Sequence, residues 1–189
     1  GDNGTILTSS DGTSWTSKTS GTSEHLIGVS YGNSTFLTVG DNGTIMTSSD
    51  GTSWENRTSG TSSILIGVTY GNGTFLTVGD NGTILTSSDG TSWTSRTSGK
   101  SNYLIGVTYG NSIFVTVGDN GTILTSSDGT SWTSKTSGTS EHLIGVTYGN
   151  STFIAVGSGG TILTSSDGTS WTSKTSGTTQ NLWGVAYKE

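Results

Sequence analysis

The sequence predicts an all-β fold, a small β-propeller of about five blades built from 39-residue, four-stranded repeats. Three observations predict it. A six-residue phrase returns every 39 residues. Each copy divides into four short stretches rich in β-branched and aromatic residues, punctuated by Gly, Asn and Asp. No stretch carries the helical apolar period over two turns, so no helix is expected. Four strands in a repeat of roughly 40 residues is the pattern of a propeller blade.

The phrase is Gly1-Asp2-Asn3-Gly4-Thr5-Ile6. It returns at Gly40, Gly79 and Gly118, and in altered form as Gly157-Ser158-Gly159-Gly160-Thr161-Ile162. The copies are residues 1–39, 40–78, 79–117, 118–156 and a partial 157–189, read together as one propeller domain over 1–189. In the first copy the expected strands are Thr5–Ser9, Ser14–Thr19, Leu26–Tyr31 and Thr35–Val39. Asn3-Gly4 and Gly32-Asn33 read as hairpin turns, because both supply positive φ; Asp11-Gly12 does the same before Trp15. Leu26, Ile27 and Val29 suit an innermost strand buried on both faces, and Ser14–Thr19, with Trp15 as its one large residue, suits an outermost one.

The blade order from the inside is therefore A (Leu26–Tyr31), B (Thr35–Val39), C (Thr5–Ser9) and D (Ser14–Thr19). The chain enters at a C strand and leaves at an A strand, Leu182–Tyr187. The counterpart of Ser34–Val39 is missing from the last copy, so one blade lacks strand B. Three arrangements satisfy this: a five-bladed ring with a defective blade, a piece of a longer array, or an assembly in which a neighbour supplies the strand. In the last copy Trp183 stands where Ile27, Ile66, Ile105 and Ile144 stand in the others. It reads as an end cap, or as a side chain filling the space of the missing strand, with a cost of about 3–5 kcal/mol on truncation to Ala.

Composition narrows the function. Charged residues make up 11% of the chain, the net charge is −6, and there is no lysine- and arginine-rich cluster, which argues against nucleic acid. Cysteine is absent, so no disulfide or thiolate metal site is expected, and no cofactor is implied. No apolar run has the length of a membrane span, and none reads as a signal peptide. The start at Gly1 in mid-motif, without an initiator Met, reads as a processed product, an excised piece or a fragment.

Ser9-Ser10-Asp11-Gly12-Thr13-Ser14-Trp15 recurs as Ser48–Trp54, Ser87–Trp93, Ser126–Trp132 and Ser165–Trp171. It resembles the Asp-box of bacterial-neuraminidase-type (BNR) repeats, with one residue fewer between Asp and Trp than is usual. The surrounding repeat is similar to propeller repeats related to photosystem II assembly factors. The resemblance covers the whole chain and implies a propeller in which the box is architecture: Asp caps a turn and Trp packs beneath it, remote from ligand sites. It also raises a sialidase-like activity, which the residues do not fit. Arg57 and Arg96 occupy one outer-strand position that Lys18, Lys135 and Lys174 fill elsewhere, and the aspartates repeat in equivalent turns instead of forming an unequal pair.

The expectation is therefore a non-enzymatic, multivalent binding module of a lectin-like kind, using the face formed by the D–A and B–C loops. Copies differ most there, at Glu24 and His25, Ser63 and Ile64, Asn102 and Tyr103, Glu141 and His142, and Gln180 and Asn181. The candidate ligand-binding residues are Glu24, His25, Asn102, Tyr103, Glu141, His142, Gln180 and Asn181. The two Glu-His pairs offer too few groups for a zinc site. Polar loops suit sugar hydroxyls, with avidity from repetition. The alternatives are a protein–protein scaffold or assembly factor, self-association through the incomplete blade, and a designed or fragmentary repeat without a natural ligand. The absence of cysteine is compatible with any compartment, and a bacterial extracellular or cell-surface location is the expectation.

Overall fold

The structure is a computed structural model and describes residues 1–188. Among the described residues, eighteen strands form five antiparallel units. The first holds only β1 (Ile6–Thr8) and β2 (Thr16–Lys18). Four complete blades follow, each with strands in A–B–C–D order. Blade I is β3 (Leu26–Gly32), β4 (Thr35–Gly40), β5 (Ile45–Ser48) and β6 (Glu55–Arg57). Blade II is β7 (Leu65–Gly71), β8 (Thr74–Gly79), β9 (Ile84–Ser87) and β10 (Thr94–Arg96). Blade III is β11 (Leu104–Gly110), β12 (Ile113–Gly118), β13 (Thr122–Ser126) and β14 (Thr133–Lys135). Blade IV is β15 (Leu143–Gly149), β16 (Thr152–Gly157), β17 (Ile162–Ser165) and β18 (Thr172–Lys174). The all-β propeller architecture and its strand order are as expected from the repeat.

Three local details differ. The Gly-Asp-Asn-Gly turn is a single 3₁₀ turn in every copy, with Asn3, Asn42, Asn81 and Asn120 at φ near 50°. Each Trp of the box precedes strand D and is not part of it. Leu182–Tyr187 pairs with no strand among the described residues; the Leu182 N–H bond to the Gly157 carbonyl (2.9 Å) anchors it.

The core lies between blades. Along an A strand Val68 and Tyr70 face the preceding blade and Gly67 and Gly71 the following one, while Leu65, on the other side of a bulge, also packs toward the preceding blade. Glycine permits the close approach. The Tyr70 ring lies over Gly32, Tyr109 over Gly71, Tyr148 over Gly110 and Tyr187 over Gly149. Each of Phe75, Phe114 and Phe153 is fully buried and touches the tyrosine of its own blade, with ring centroids 4.5–4.8 Å apart. In strand B the phenylalanine points backward and its apolar neighbours forward: Leu37 and Val39 of blade I pack with Leu65, Phe75 and Leu85 of blade II.

The array is an open arc among the described residues. Ile27, Val29 and Tyr31 of β3, which should face a preceding A strand, are 49%, 70% and 58% exposed. At the other end, Leu182–Tyr187 covers blade IV, but its forward-facing Gly184 has nothing within 4 Å of where a Cβ would stand. Copy one thus departs from the expectation that Ile27 and Val29 are buried on both faces. Trp183 departs as well: it is 73% exposed and fills no vacant strand position. Trp183→Ala is accordingly expected to change stability by no more than about 0.5 kcal/mol, as for an ordinary surface site, which chemical denaturation checks.

Candidate functional site

Two surfaces come into question, the loop face and the open end. On the loop face each D–A loop lies against the Gly-Asp-Asn-Gly turns beside it. Backbone bonds from Asp41 N–H to the His25 carbonyl (3.0 Å) and from Gly121 N–H to the Glu141 carbonyl (2.8 Å) fix that contact. The candidate side chains follow the backbone. His142 Nδ1 lies 2.7 Å from Asp119 Oδ1, and His25 Nδ1 lies 3.4 Å from Asp2 Oδ1. Asn42 Nδ2 donates to Glu24 Oε2 (2.8 Å), and Gly159 N–H donates to Asn181 Oδ1 (3.1 Å). Asn102 accepts the Gly82 N–H through its carbonyl (2.8 Å), Tyr103 is half-exposed, and Gln180 and Glu141 are exposed. The loops thus bring these residues together with their own turns, one gap at a time.

On the opposite face the five Asp-boxes share one set of carboxylate contacts, and in the four boxes after the first the indole N–H closes onto the glycine carbonyl as well. Asp128 Oδ1 accepts the backbone N–H of Ser131 (2.9 Å) and of Thr130 (2.8 Å), and the Ser126 hydroxyl donates to it at 2.9 Å. The Ser126 oxygen in turn accepts the Gly129 N–H (2.8 Å), and Trp132 Nε1–H closes onto the Gly129 carbonyl (3.2 Å). These donors stabilise the charged carboxylate. The N–H of Ser14, Ser53, Ser92, Ser131 or Ser170 leads, and it holds Asp11, Asp89, Asp128 and Asp167 well below the usual carboxylate range and lowers Asp50 as well. A group so depressed is a poor proton donor at neutral pH.

The box should show in acid. Because the folded pKa lies below the ordinary 3.8, the ionised boxes contribute stability above that value and lose it as pH falls through the lower folded value. Stability is therefore expected to hold down to about pH 4 and to fall progressively below it. Replacing all five aspartates by Asn should flatten that fall in a urea series across pH.

The open end is different in kind. Leu7 and Trp15 of the first unit and Ile27, Val29 and Tyr31 of β3 are all exposed. They surround a groove of about 460 Å³ floored by Leu26, Phe36 and Thr38 and bounded by Trp54. Sequence reasoning placed Ile27, Val29 and Tyr31 in a buried inner strand, Leu7 in strand C and Trp15 in the outer strand. The signal for the groove was present in the missing strand B, but exposure of its walls depends on the arc staying open.

No protein-family model matches the chain, and no curated protein does. Solved structures do. The structure of YCF48 bound to D1 peptide superposes with a TM-score of 0.68 at 20% identity, covering 91% of this chain and 60% of that one. YCF48 from Cyanidioschyzon merolae gives 0.66 at 18% identity, covering 87% and 60%. A GH74 enzyme of Niastella koreensis gives 0.57 at 21% identity, covering 78% and 24%. The chain therefore spans less than two thirds of the length of the propellers it resembles. At such identities the likeness shows the fold: a propeller-blade array.

Proposed function

We propose that the chain is a non-catalytic, protein-binding propeller segment whose partner docks on the open end of the arc. One observation carries this reading: the exposed apolar wall of Leu7, Trp15, Ile27, Val29 and Tyr31, continuous with a groove. Contiguous apolar surface of this kind marks protein interaction sites. The similarity to YCF48, solved with a D1 peptide, supports the same class of role. Glycan binding on the loop face is the weaker reading, because Glu24, His25, His142 and Asn181 are committed to neighbouring turns. A catalytic role is weaker still, since the aspartates with shifted pKa values all serve turns.

The test is a displayed library of random peptides, run in parallel with a glycan array, on the protein and on Val29→Glu. Val29 is 70% exposed, so the variant should fold. Apolar peptides are expected to be enriched by the protein and to lose at least about tenfold in affinity on the variant, a loss of ~1.4 kcal/mol. Equal peptide recovery on both proteins, or binding of glycans alone, overturns the reading.

A further inference from the structure

The cations of this acidic chain gather on its outer strands. Lys18, Arg57, Arg96, Lys135 and Lys174 all stand at the last position of a strand D. Lys100 stands apart from them, in the D–A loop after blade II, where the other copies have Thr22, Thr61, Thr139 and Thr178. These cations are not equally free. The Arg57 Nε–H donates to the Thr47 hydroxyl (2.7 Å) and its Nη2 to Glu55 Oε2 (2.6 Å), so its charge is already matched. Lys100 and Lys135 enter no ion pair among the described residues.

Those two lysines meet in one place. Both line an open cleft of about 450 Å³ on blade III, with Asn120, Ser134, Thr136 and Ser140 around them. That volume lies in the roughly 300–1,000 Å³ range of small-molecule sites. The four polar side chains are exposed and make no hydrogen bond among the described residues, so their donors and acceptors are open to a ligand. Among the described residues no aliphatic or aromatic side chain lines the cleft. The nearby acids are turned elsewhere. Asp119 is held by His142 at 2.7 Å, and Glu141 Oε2 lies 3.5 Å from where a Cβ on Gly159 would stand, toward blade IV.

We infer that this cleft binds an acidic saccharide. The ammonium groups of Lys100 and Lys135 take its carboxylate or sulfate through charge-assisted hydrogen bonds, and the amide and hydroxyls around them exchange hydrogen bonds with its ring hydroxyls. An apolar peptide would gain little here, since there is no apolar surface for it to bury. The site is therefore separate from the open end and stands apart from the protein-binding reading. Related clefts recur with one cation each, Arg57 in blade I and Lys174 in blade IV. Arg57 is spent on Glu55, whereas Lys174 enters no ion pair among the described residues. A chain of acidic sugars thus gains a second hold on blade IV and avidity from the pair.

The probes are a galacturonate hexasaccharide and a sulfated galactan hexasaccharide, titrated by calorimetry against the whole chain beside their uncharged forms, the methyl ester and the desulfated sugar. At least one acidic probe is expected to bind and to lose about tenfold or more when neutralised, the loss of a hydrogen bond to a charged group. Lys100→Thr installs the residue of the other four copies, so it should fold, and it should weaken the same probe by a similar factor. Arg57→Gln should leave the affinity unchanged, because that cation already serves Glu55. Val29→Glu should leave it unchanged as well, which keeps this result independent of the peptide test. Failure of both acidic probes to bind at millimolar concentration overturns the inference. Binding of inorganic tripolyphosphate as tightly as the sugar also overturns it, by making the cleft a general anion site. Equal losses in Lys100→Thr and Arg57→Gln overturn it too, since the effect would then be overall charge and not this cleft.

Discussion

Gly110→Ala is expected to destabilise the array by about 3 kcal/mol, the upper range for overpacking a dense interior. A Cβ at Gly110 would lie 2.6 Å from the Tyr148 Cβ and closer still to its ring. The ring cannot retreat, since Tyr148 rests on Phe153 with centroids 4.5 Å apart. Backbone strain plays no part, as Gly110 is not among the positive-φ glycines; the cost is contact alone. Because each blade touches only its neighbours, the damage should fall on the seam between blades III and IV. Denaturant unfolding is expected to become biphasic, with blade IV melting first, and the midpoint to drop by on the order of 10 °C in a thermal scan. Gly184→Ala is the matched control. Its Cβ would meet nothing within 4 Å, so near-neutrality is expected there. A single sharp transition at the parent's midpoint for Gly110→Ala would contradict the seam.

That seam also shows what the sequence made legible. The period, the four stretches per repeat and the missing strand B were all readable, because turn residues and β-branched runs act locally. Gly32-Asn33 was readable only in part. It supplies a hairpin, yet Gly32 is also the last residue of β3, and its lack of a side chain admits Tyr70 from the next blade. A glycine required by a turn and one required by a distant ring look alike in one chain. The distinguishing sign was Lys188, a side chain at the repeat position that holds Gly32, Gly71, Gly110 and Gly149 wherever a tyrosine ring lies over it. The Asp-box was legible in role because its bonds span two or three residues. The open end was not, since the exposure of Val29 depends on whether two units far apart in sequence meet.

Phe114→Ala should cost about 3–5 kcal/mol, the loss for truncating a buried aromatic that leaves an enclosed cavity. Phe114 is fully buried among Leu76, Val78, Ile84, Leu104 and Leu124 and stacks on Tyr109 with centroids 4.8 Å apart. Phe36 has the same chemistry and stacks on Tyr31 at 4.6 Å, but it floors the groove and is only half-buried. Its truncation enlarges a space already open to solvent, so about half the cost or less is expected. The comparison, made by urea unfolding, separates position from residue type. It also connects stability to binding. An apolar peptide at a hundred times its Kd would stabilise the parent by about 2.7 kcal/mol. If that peptide closes the groove over Phe36, the stabilisation must shrink in Phe36→Ala and stay intact in Phe114→Ala. Equal stabilisation of both variants would place the bound peptide somewhere other than the groove.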